Sequence, residues 1–282
     1  MLGLFGGSAC SQEKAGADSV PALLPVPEKL AVMTFDDSTR SHLEVAAPLL
    51  KERGFGATFF VTGAWMDDRE NFLDWEEIAK LHQMGFEVGN HSMRHVALHD
   101  PQPLEELDRE VRELEAGLER VGVPKPVSFS WPGNHFGPRA AERLRELGYR
   151  FGRRGTVPDV PPAVPVVGMG ALYEPARHDP MLIPSGGLAV PEWTLDDFKK
   201  VTAPAVRGKV LVFQFHGTPD GAHPFCSTPA ERYVEFLDHL KAEGFTVVAM
   251  RDLERYFDFS KRPKDPLMEK VHFFGNYSAD YK

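Results

Sequence analysis

Short apolar runs alternate with helix-like segments from Leu30 to Phe257, and this alternation limits what the chain can fold into more than any other feature. Strands that are separated by helices pair in parallel, because each helix carries the chain back to the starting edge of the sheet. An α/β fold follows, and we expect a distorted (β/α) barrel of about seven or eight strands. An open, doubly wound parallel sheet is the alternative.

The chain divides into a predicted flexible lead-in at 1–29, one predicted domain at 30–258 and a C-terminal tail at 259–282. The predicted strands are Leu30–Phe35, Thr58–Thr62, Phe86–Val88, Val127–Trp131, Val210–Phe215 and Phe245–Ala249. The predicted helices are His42–Arg53, Leu73–Met84, Leu104–Val121, Ala140–Leu147, one capped by Thr194, Pro229–Ala242 and Asp252–Phe257. The Pro- and Gly-rich segment Arg153–Pro191 lies between the helix Ala140–Leu147 and the helix capped by Thr194. It predicts long loops around short strands near Val164–Val167 and Met181–Ile183.

The segment Leu104–Val121 gives the strongest helix signal. An apolar residue recurs at helical spacing at Leu104, Leu107, Val111, Leu114 and Leu118. Glu and Arg residues three and four positions apart occupy the rest of the surface, which predicts a solvent-exposed face rather than a site.

Charge and composition exclude several classes of protein. The formal net charge of −9 argues against a general nucleic-acid binder, because phosphate contacts need clustered Lys and Arg. There are only two cysteines, Cys10 and Cys226, so no disulfide framework is expected. No apolar run is long enough to span a bilayer. The first ten residues lack the charged start and the apolar length of a complete signal peptide, which favours a flexible tail over an export remnant.

Titratable and turn-forming residues follow four of the predicted strands. Asp36 and Asp37 come directly after the first strand, and His216 comes directly after Val210–Phe215. Asn90-His91 and Pro132–His135 follow two other strands in the same way. Because the C-terminal ends of parallel strands meet at one edge, where function gathers in such folds, we expect these groups to lie close together.

His91 and His95 are four residues apart, so both rings can face one ion if the segment is helical. Together with one Asp they form a three-ligand set, which leaves a position open for water, as in catalytic metal sites. A spare carboxylate and a spare histidine are then available as base and acid. Taken singly, each piece favours another interpretation: the Asp pair is more typical of a turn or helix cap, His216 of a hydrogen-bonded core histidine, and a lone His-x-x-x-His is more often unrelated to metal.

Thr34-Phe35-Asp36-Asp37, followed by His91-Ser92-Met93-Arg94-His95, resembles the signature of the polysaccharide deacetylase family (NodB homology, carbohydrate esterase family 4). Ala57–Val61 is similar to that family's second strand, and the similarity extends through Phe129–Phe136 to Leu211–His216. The resemblance covers most of Leu30–Phe257 and implies the distorted barrel of that family.

The resemblance also implies roles for individual residues. Asp37, His91 and His95 would bind a divalent metal, with zinc expected and cobalt, nickel or iron as alternatives. Asp36 would be the general base, and His216 would protonate the leaving amine. The implied reaction is hydrolysis of N-acetyl groups on a glycan, and the implied location is the cell envelope or exterior.

The turn that follows Val127–Trp131 is the implied substrate side of the site. The backbone of Pro132, Gly133 and Asn134 would help to hold the oxyanion. Trp131 and His135 are the expected sugar contacts, since the CH faces of sugars pack on rings. The rings of Trp65, Trp75 and Trp193 are expected to pack in the core or at an interface instead.

The sequence departs from the family pattern at three places. Ser38 stands where the first motif often has Gly, and Ser130 opens a third motif that often begins with an Arg orienting the base. Arg153 or Arg154 could supply that charge. The family's fourth motif, an Asp and a Trp beside the acid, has only the candidates Asp159, Trp193 and Asp197.

Three functions from different classes therefore stay open. The first is an N-deacetylase acting on an N-acetylated glycan, which the intact Asp36-Asp37 pair favours. The second is an amidohydrolase of the same fold acting on a cyclic amide or ureide, and the third is a non-catalytic carbohydrate-binding member that keeps the metal site. The oligomeric state is not predicted by any sequence feature.

Overall fold

Eight parallel strands form one curled sheet in the computed structural model, which describes residues 22–100, 103–158 and 165–272. The strands are β1 (Leu30–Phe35), β2 (Thr58–Val61), β3 (Glu87–Asn90), β4 (Ser128–Ser130), β5 (Phe151–Arg153), β6 (Gly187–Leu188), β7 (Val210–Phe215) and β8 (Thr246–Val248). The sheet order is β5-β4-β3-β2-β1-β7-β6, and β8 pairs with the first half of β1.

A short segment between β5 and β7 brings the two ends of the sheet together. Ile183 forms a parallel bridge with Arg153 at the end of β5. A few residues later, Gly187 and Leu188 pair with β7. The result is a distorted (β/α) barrel, so the predicted fold class is confirmed and the open sheet is not the architecture.

Six α-helices cover the outside of the sheet in the described part of the chain. They are α1 (Ala47–Arg53), α2 (Trp75–Gln83), α3 (Leu104–Arg120), α4 (Pro138–Glu146), α5 (Leu195–Thr202) and α6 (Ala230–Ala242). A π-helical turn, His42–Ala46, leads into α1, which ends at Gly54 in the left-handed conformation. The predicted cap of α5 is present, since the Thr194 side chain accepts from the Asp197 N–H in a capping box.

Aromatic side chains at the centre of the sheet hold the middle strands together. Phe35 of β1 stacks on Phe59 of β2 with ring centroids 4.9 Å apart, and on Phe215 of β7 at 5.5 Å. Every residue of β1 is buried, because helices cover one face and barrel side chains the other. The neighbouring strand ends are thereby fixed relative to one another.

Two regions differ from the expectation. Pro180–Leu182 is a 3₁₀ turn, and 165–167 form bends and a turn, so neither expected short strand is present there, while Val164 itself lies outside the described residues. Strands β5 and β6 were not predicted. Strands of three and two residues are too short to show a periodicity. The expected tail also packs on the domain as far as it is described: Leu267 joins an apolar cluster with α4, and His272 exchanges backbone hydrogen bonds with Phe136.

In the residues that the structure describes, no helix is both long and apolar enough to cross a membrane. Cys226 is a buried free thiol, and Cys10 lies outside the described residues.

Candidate metal centre and active site

The chain leaves β1 through a sharp turn that separates two adjacent carboxyl groups. Asp36 still donates its backbone N–H to Phe215 of β7, at 2.9 Å. Asp37 and Ser38 then adopt positive φ values of 76° and 61°. Both Asp side chains are buried, and the turn gives them different partners.

His91 follows β3 and is oriented through its second ring nitrogen. Its Nδ1 lies 2.8 Å from the backbone oxygen of Ser130 on β4, which makes Nδ1 the protonated nitrogen. Nε2 therefore presents its lone pair toward Asp37, whose Oδ1 is 3.5 Å away. A carbonyl partner on the far side of the ring is the usual arrangement of a metal-binding histidine.

His95 reaches the same carboxylate by a route that differs from the predicted one. The segment between His91 and His95 is not helical, and Ser92 and His95 have φ values of 61° and 52°. These two left-handed residues fold the chain back, so that His95 Nε2 lies 3.6 Å from Asp37 Oδ1. The two rings converge because of a strained turn, not because of helical spacing.

A buried carboxylate on α3 supports this turn. Glu110 accepts hydrogen bonds from the backbone N–H of Arg94 at 2.7 Å and from its guanidinium at 2.7 Å. Its own carbonyl accepts from Met93 N–H at 3.2 Å. The sequence pattern assigned Glu110 to the exposed face of the helix, but it lies three residues after Leu107 and four before Leu114, which places it beside the buried stripe.

Asp37, His91 and His95 together form a group that fits a divalent cation. Their candidate ligand atoms all lie within 4.8 Å of one another. Asp37 Oδ1 is buried and accepts no hydrogen bond from any described residue, although both Nε2 atoms face it. A buried carboxylate oxygen without a partner is costly unless a cation or water satisfies it, and two imidazoles with one carboxylate suit zinc.

The titration of these groups agrees with a cation site. Burial would raise the pKa of Asp37, but the surrounding histidines outweigh burial and hold it well below its ordinary value. Burial lowers the pKa of His95 to about 4, which leaves a neutral ring at neutral pH. Burial opposes protonation of His91 as well, yet Asp36 and Asp37 outweigh burial and raise its pKa, so a cation competes with a proton for this ring.

Asp36 faces away from the two histidines and is held by Arg153. One guanidinium nitrogen of Arg153 donates to both carboxylate oxygens of Asp36 and to Ser130 Oγ. Gln214 on β7 adds a hydrogen bond from its side-chain amide to Asp36 Oδ2, at 3.1 Å. Burial would raise the pKa of Asp36, but Arg153 and the nearby histidines lower it, so the group is a carboxylate.

Of the two arginines considered for the missing third-motif charge, Arg153 is the one that reaches Asp36, from the end of β5. It is the register partner of Ser130 across the β4–β5 pair. Arg154 points elsewhere and donates to the carbonyls of Leu182 and Val157. Since successive residues of a strand face opposite sides, only one of the two arginines can reach Asp36.

His216 leaves β7 toward the open side of the carboxylate pair. Its Nε2 lies 3.8 Å from Asp37 Oδ2 and 4.0 Å from Asp36 Oδ2. Its buried Nδ1 has no hydrogen-bond partner among the described residues. Of the fourth-motif candidates, Trp193 lies in the core and donates its indole N–H to the carbonyl of the exposed Val167. Asp197 takes part in the capping box of α5, and Asp159 lies outside the described residues.

The turn after β4 has one backbone donor to spare. Asn134 N–H donates to the Trp131 carbonyl and His135 N–H to the Pro132 carbonyl, while Pro132 has no N–H. Gly133 N–H is left without a protein acceptor in the described residues. The Asn134 side chain is structural, because its oxygen accepts from Gly155 N–H and its amide donates to Val157.

The expected sugar contacts of this turn are not available as surface rings. Trp131 is buried in the apolar cluster with Phe129 and donates its indole N–H to the Met181 carbonyl, at 2.9 Å. His135 is buried too, with its ring centroid 5.5 Å from that of His99. The expectation that a sugar stacks on Trp131 is therefore corrected. The sequence shows an aromatic residue at this position whether its ring is buried or exposed, and only the fold shows that the ring points inward.

Comparison with known proteins agrees with this site. The model of the polysaccharide deacetylase family matches residues 24–152, a stretch that includes Asp36, Asp37, His91 and His95. Residues 24–152 are therefore similar to the polysaccharide deacetylase family. A curated protein of Bacillus subtilis (strain 168), named "Putative polysaccharide deacetylase YxkH", is 22% identical over 125 residues. That match spans 44% of this chain and 44% of the relative, less than half of its length.

Solved structures share the barrel fold of this chain. Bacillus subtilis PdaA, a family 4 carbohydrate esterase, superposes with a TM-score of 0.55 and 18% identity over 82% of this chain and 83% of PdaA. The Bc1960 peptidoglycan N-acetylglucosamine deacetylase gives a TM-score of 0.56 and 16% identity over 83% of this chain and 91% of its own. At these identities the likeness establishes the barrel alone.

Proposed function

We propose that this protein is a metal-dependent hydrolase that removes N-acetyl groups from an N-acetylated glycan. Asp37, His91 and His95 hold the metal, Asp36 is the general base and His216 is the general acid. The observation that carries the proposal is the division of partners between adjacent carboxylates. Asp36 is paired with Arg153, whereas Asp37 keeps a free oxygen facing two histidine nitrogens.

The metal contributes Lewis acidity when bound: it lowers the pKa of a water molecule and polarises an amide carbonyl. Zinc suits the donor set, and cobalt, nickel or iron can occupy the same kind of site. Every other function falls to side chains and backbone groups of this chain.

Asp36 accepts a proton from the attacking water at its carboxylate. Arg153 keeps the group ionised, and the contacts from Arg153 and Gln214 leave it little freedom to rotate. Gly133 N–H is the protein donor available for the developing oxyanion of the acetyl group. His216 Nε2, on the open side of both carboxylates, donates a proton to the leaving nitrogen, so that acetate and a free amine are released.

Glycan specificity draws support from the relatives. The matching family model is that of polysaccharide deacetylases, and the Bc1960 protein is a peptidoglycan N-acetylglucosamine deacetylase. An N-acetylated hexosamine within a polymer is therefore the substrate class that we infer for this chain.

The test is acetate release by protein loaded with zinc or cobalt. Chitooligosaccharides, peptidoglycan fragments and simple N-acetylhexosamines are compared, with chelator-treated protein as the control. Release from a glycan that stops on chelation supports the proposal. If metal is bound and none of the glycans yields acetate, the N-deacetylase proposal is wrong, and the same protein is then assayed on cyclic amides and ureides.

A further inference from the structure

The residue before the candidate metal ligand His91 is held by buried hydrogen bonds at both ends of its amide group. This residue is Asn90, the last of β3, and its side chain is completely buried. Its amide oxygen accepts a hydrogen bond from the backbone N–H of Ser92, at 2.8 Å. The resulting Asx turn joins the two residues that flank His91. It therefore fixes the backbone from which the imidazole of His91 extends.

The amide nitrogen of Asn90 decides which way the amide group faces. It donates to the phenol oxygen of Tyr149 at 2.7 Å and to the carbonyl of Val111 on α3 at 3.3 Å. A rotated amide would place its oxygen beside these two oxygens and its NH₂ group beside the Ser92 N–H. Such an arrangement is costly where no water can reach the groups, so the orientation of the amide depends on its acceptors.

Tyr149, between α4 and β5, is fixed as one of these acceptors by its own partner on α3. The phenol O–H donates to Glu115 Oε1, at 2.9 Å. Burial and the Glu115 carboxylate raise the pKa of Tyr149 well above its ordinary value, so the phenol keeps its proton. Since that proton is directed at Glu115, the phenol oxygen is left to accept from the Asn90 amide. Each group from Asn90 to Glu115 thus donates to the next.

The far end of this chain of hydrogen bonds is anchored as well. The ammonium group of Lys125 lies 3.5 Å from Glu115 Oε1 and donates to the carbonyl of Leu147 at 2.6 Å. These contacts tie the carboxylate on α3 to the segment that carries Tyr149. The phenol oxygen is therefore held in place before any metal binds.

We propose that Tyr149 is a positioning residue for the metal centre: its phenol oxygen orients the Asn90 amide, and the amide in turn holds His91 in place. The proposal rests on the proposed function, in which His91 is a metal ligand. The ring of His91 is then fixed from two sides, because the Ser130 carbonyl holds its Nδ1 at 2.8 Å and Asn90 fixes its backbone. Residues that orient a ligand from behind commonly change metal affinity 10- to 100-fold.

The first test is the zinc affinity of Tyr149→Phe, measured by competition with a chromophoric chelator. This variant removes the phenol oxygen alone, and its zinc affinity should fall about tenfold. Tyr233→Phe is the matched control, because Tyr233 is equally buried and its hydroxyl group contacts the sulfur of Met33, at 3.7 Å. Its affinity should equal that of the parent. The visible absorption of the cobalt form, which reports the arrangement of the ligands, should change in Tyr149→Phe but not in the control.

The second test asks whether the effect passes through Asn90. Asn90→Ala should weaken zinc binding at least as much as Tyr149→Phe does, and the double variant should bind no more weakly than Asn90→Ala. If Asn90→Ala does not fold, the comparison of Tyr149→Phe with Tyr233→Phe decides. Equal losses from Tyr149→Phe in both backgrounds overturn the positioning role.

The outcome also separates this proposal from the proposed function. Parent zinc affinity and a parent cobalt spectrum in Tyr149→Phe overturn the positioning role and leave the proposed function intact. A parent protein that binds neither zinc nor cobalt overturns the metal site on which both proposals rest.

Discussion

The guanidinium of Arg153 and the carboxylate of Asp36 form a buried ion pair between residues that are 117 positions apart in the sequence. Both side chains are almost completely shielded from water, and the pair joins the end of β5 to the end of β1. A buried charge that loses its partner is strongly destabilising, so each residue depends on the other.

Arg153→Met should lower the free energy of unfolding by about 3–5 kcal/mol, since it leaves the Asp36 carboxylate buried and unpaired. Asp36→Asn should be destabilising for the reciprocal reason, and the double variant should cost less than the sum of the two. Urea unfolding of the four proteins measures this coupling. Arg154→Met serves as the control outside the pair, and additivity of the Asp36 and Arg153 effects would contradict the account.

Glu110→Ala should weaken metal binding about 10- to 100-fold, because Glu110 holds the turn that positions His95 without being a ligand itself. Glu113→Ala is a matched control: Glu113 contacts the same Arg94 guanidinium but from the partly exposed face of α3. Zinc affinity by competition with a chromophoric chelator measures both. Equal affinities for the Glu110 and Glu113 variants would show that the turn does not need this support.

Ser38→Ala should destabilise the protein more than Ser38→Gly, by about 1 kcal/mol. Both variants lose the hydrogen bonds that Ser38 Oγ makes with the backbone of Thr62, at 3.1 Å and 2.9 Å. Only Gly relieves the positive φ of 61° at this position. Chemical denaturation gives the order of stabilities, and an alanine variant as stable as the glycine variant would argue against backbone strain here.

His42 gives a prediction about acid stability. Burial lowers the pKa of His42 to about 4, and its neutral ring bonds to the His216 carbonyl at 3.1 Å. Because the folded pKa lies below the unfolded value near 6.5, stability is present above pH 6.5 and is lost as pH falls toward 4. When the pH falls from 7 to 5, the free energy of unfolding should drop by about 2 kcal/mol less for His42→Gln than for the parent protein. Parallel losses in both proteins would contradict a neutral buried His42.

The barrel was predictable from the sequence because it rests on a local pattern, and so was the grouping of one Asp with His91 and His95. The choice of Asp37 within that group rested on the family resemblance. Apolar strands alternate with helices, and Asp37, His91 and His95 stand at the ends of two of those strands. The roles proposed for Asp36 and His216 follow from the resemblance and from their positions beside Asp37.

Other features depend on how strands pair and which way side chains point. Arg153 and Arg154 are equivalent in the sequence, and only the register of β4 with β5 shows that Arg153 faces Asp36. Glu110 lies among charged residues of α3, and its burial is due to the turn after β3, which packs on it. This tertiary contact has no local signal in the sequence. Trp131 is buried rather than available at the surface, because burial of a ring is set by tertiary packing and not by its neighbours in the chain.

The most direct test of the central claim measures metal content and acetate release together in Asp36→Asn and in His91→Ala. The account predicts that Asp36→Asn keeps its metal but releases no acetate, whereas His91→Ala loses the metal and, with it, the activity. An Asp36→Asn protein that still releases acetate at the parent rate, or a His91→Ala protein that binds metal with parent affinity, would contradict the division of labour between the two aspartates.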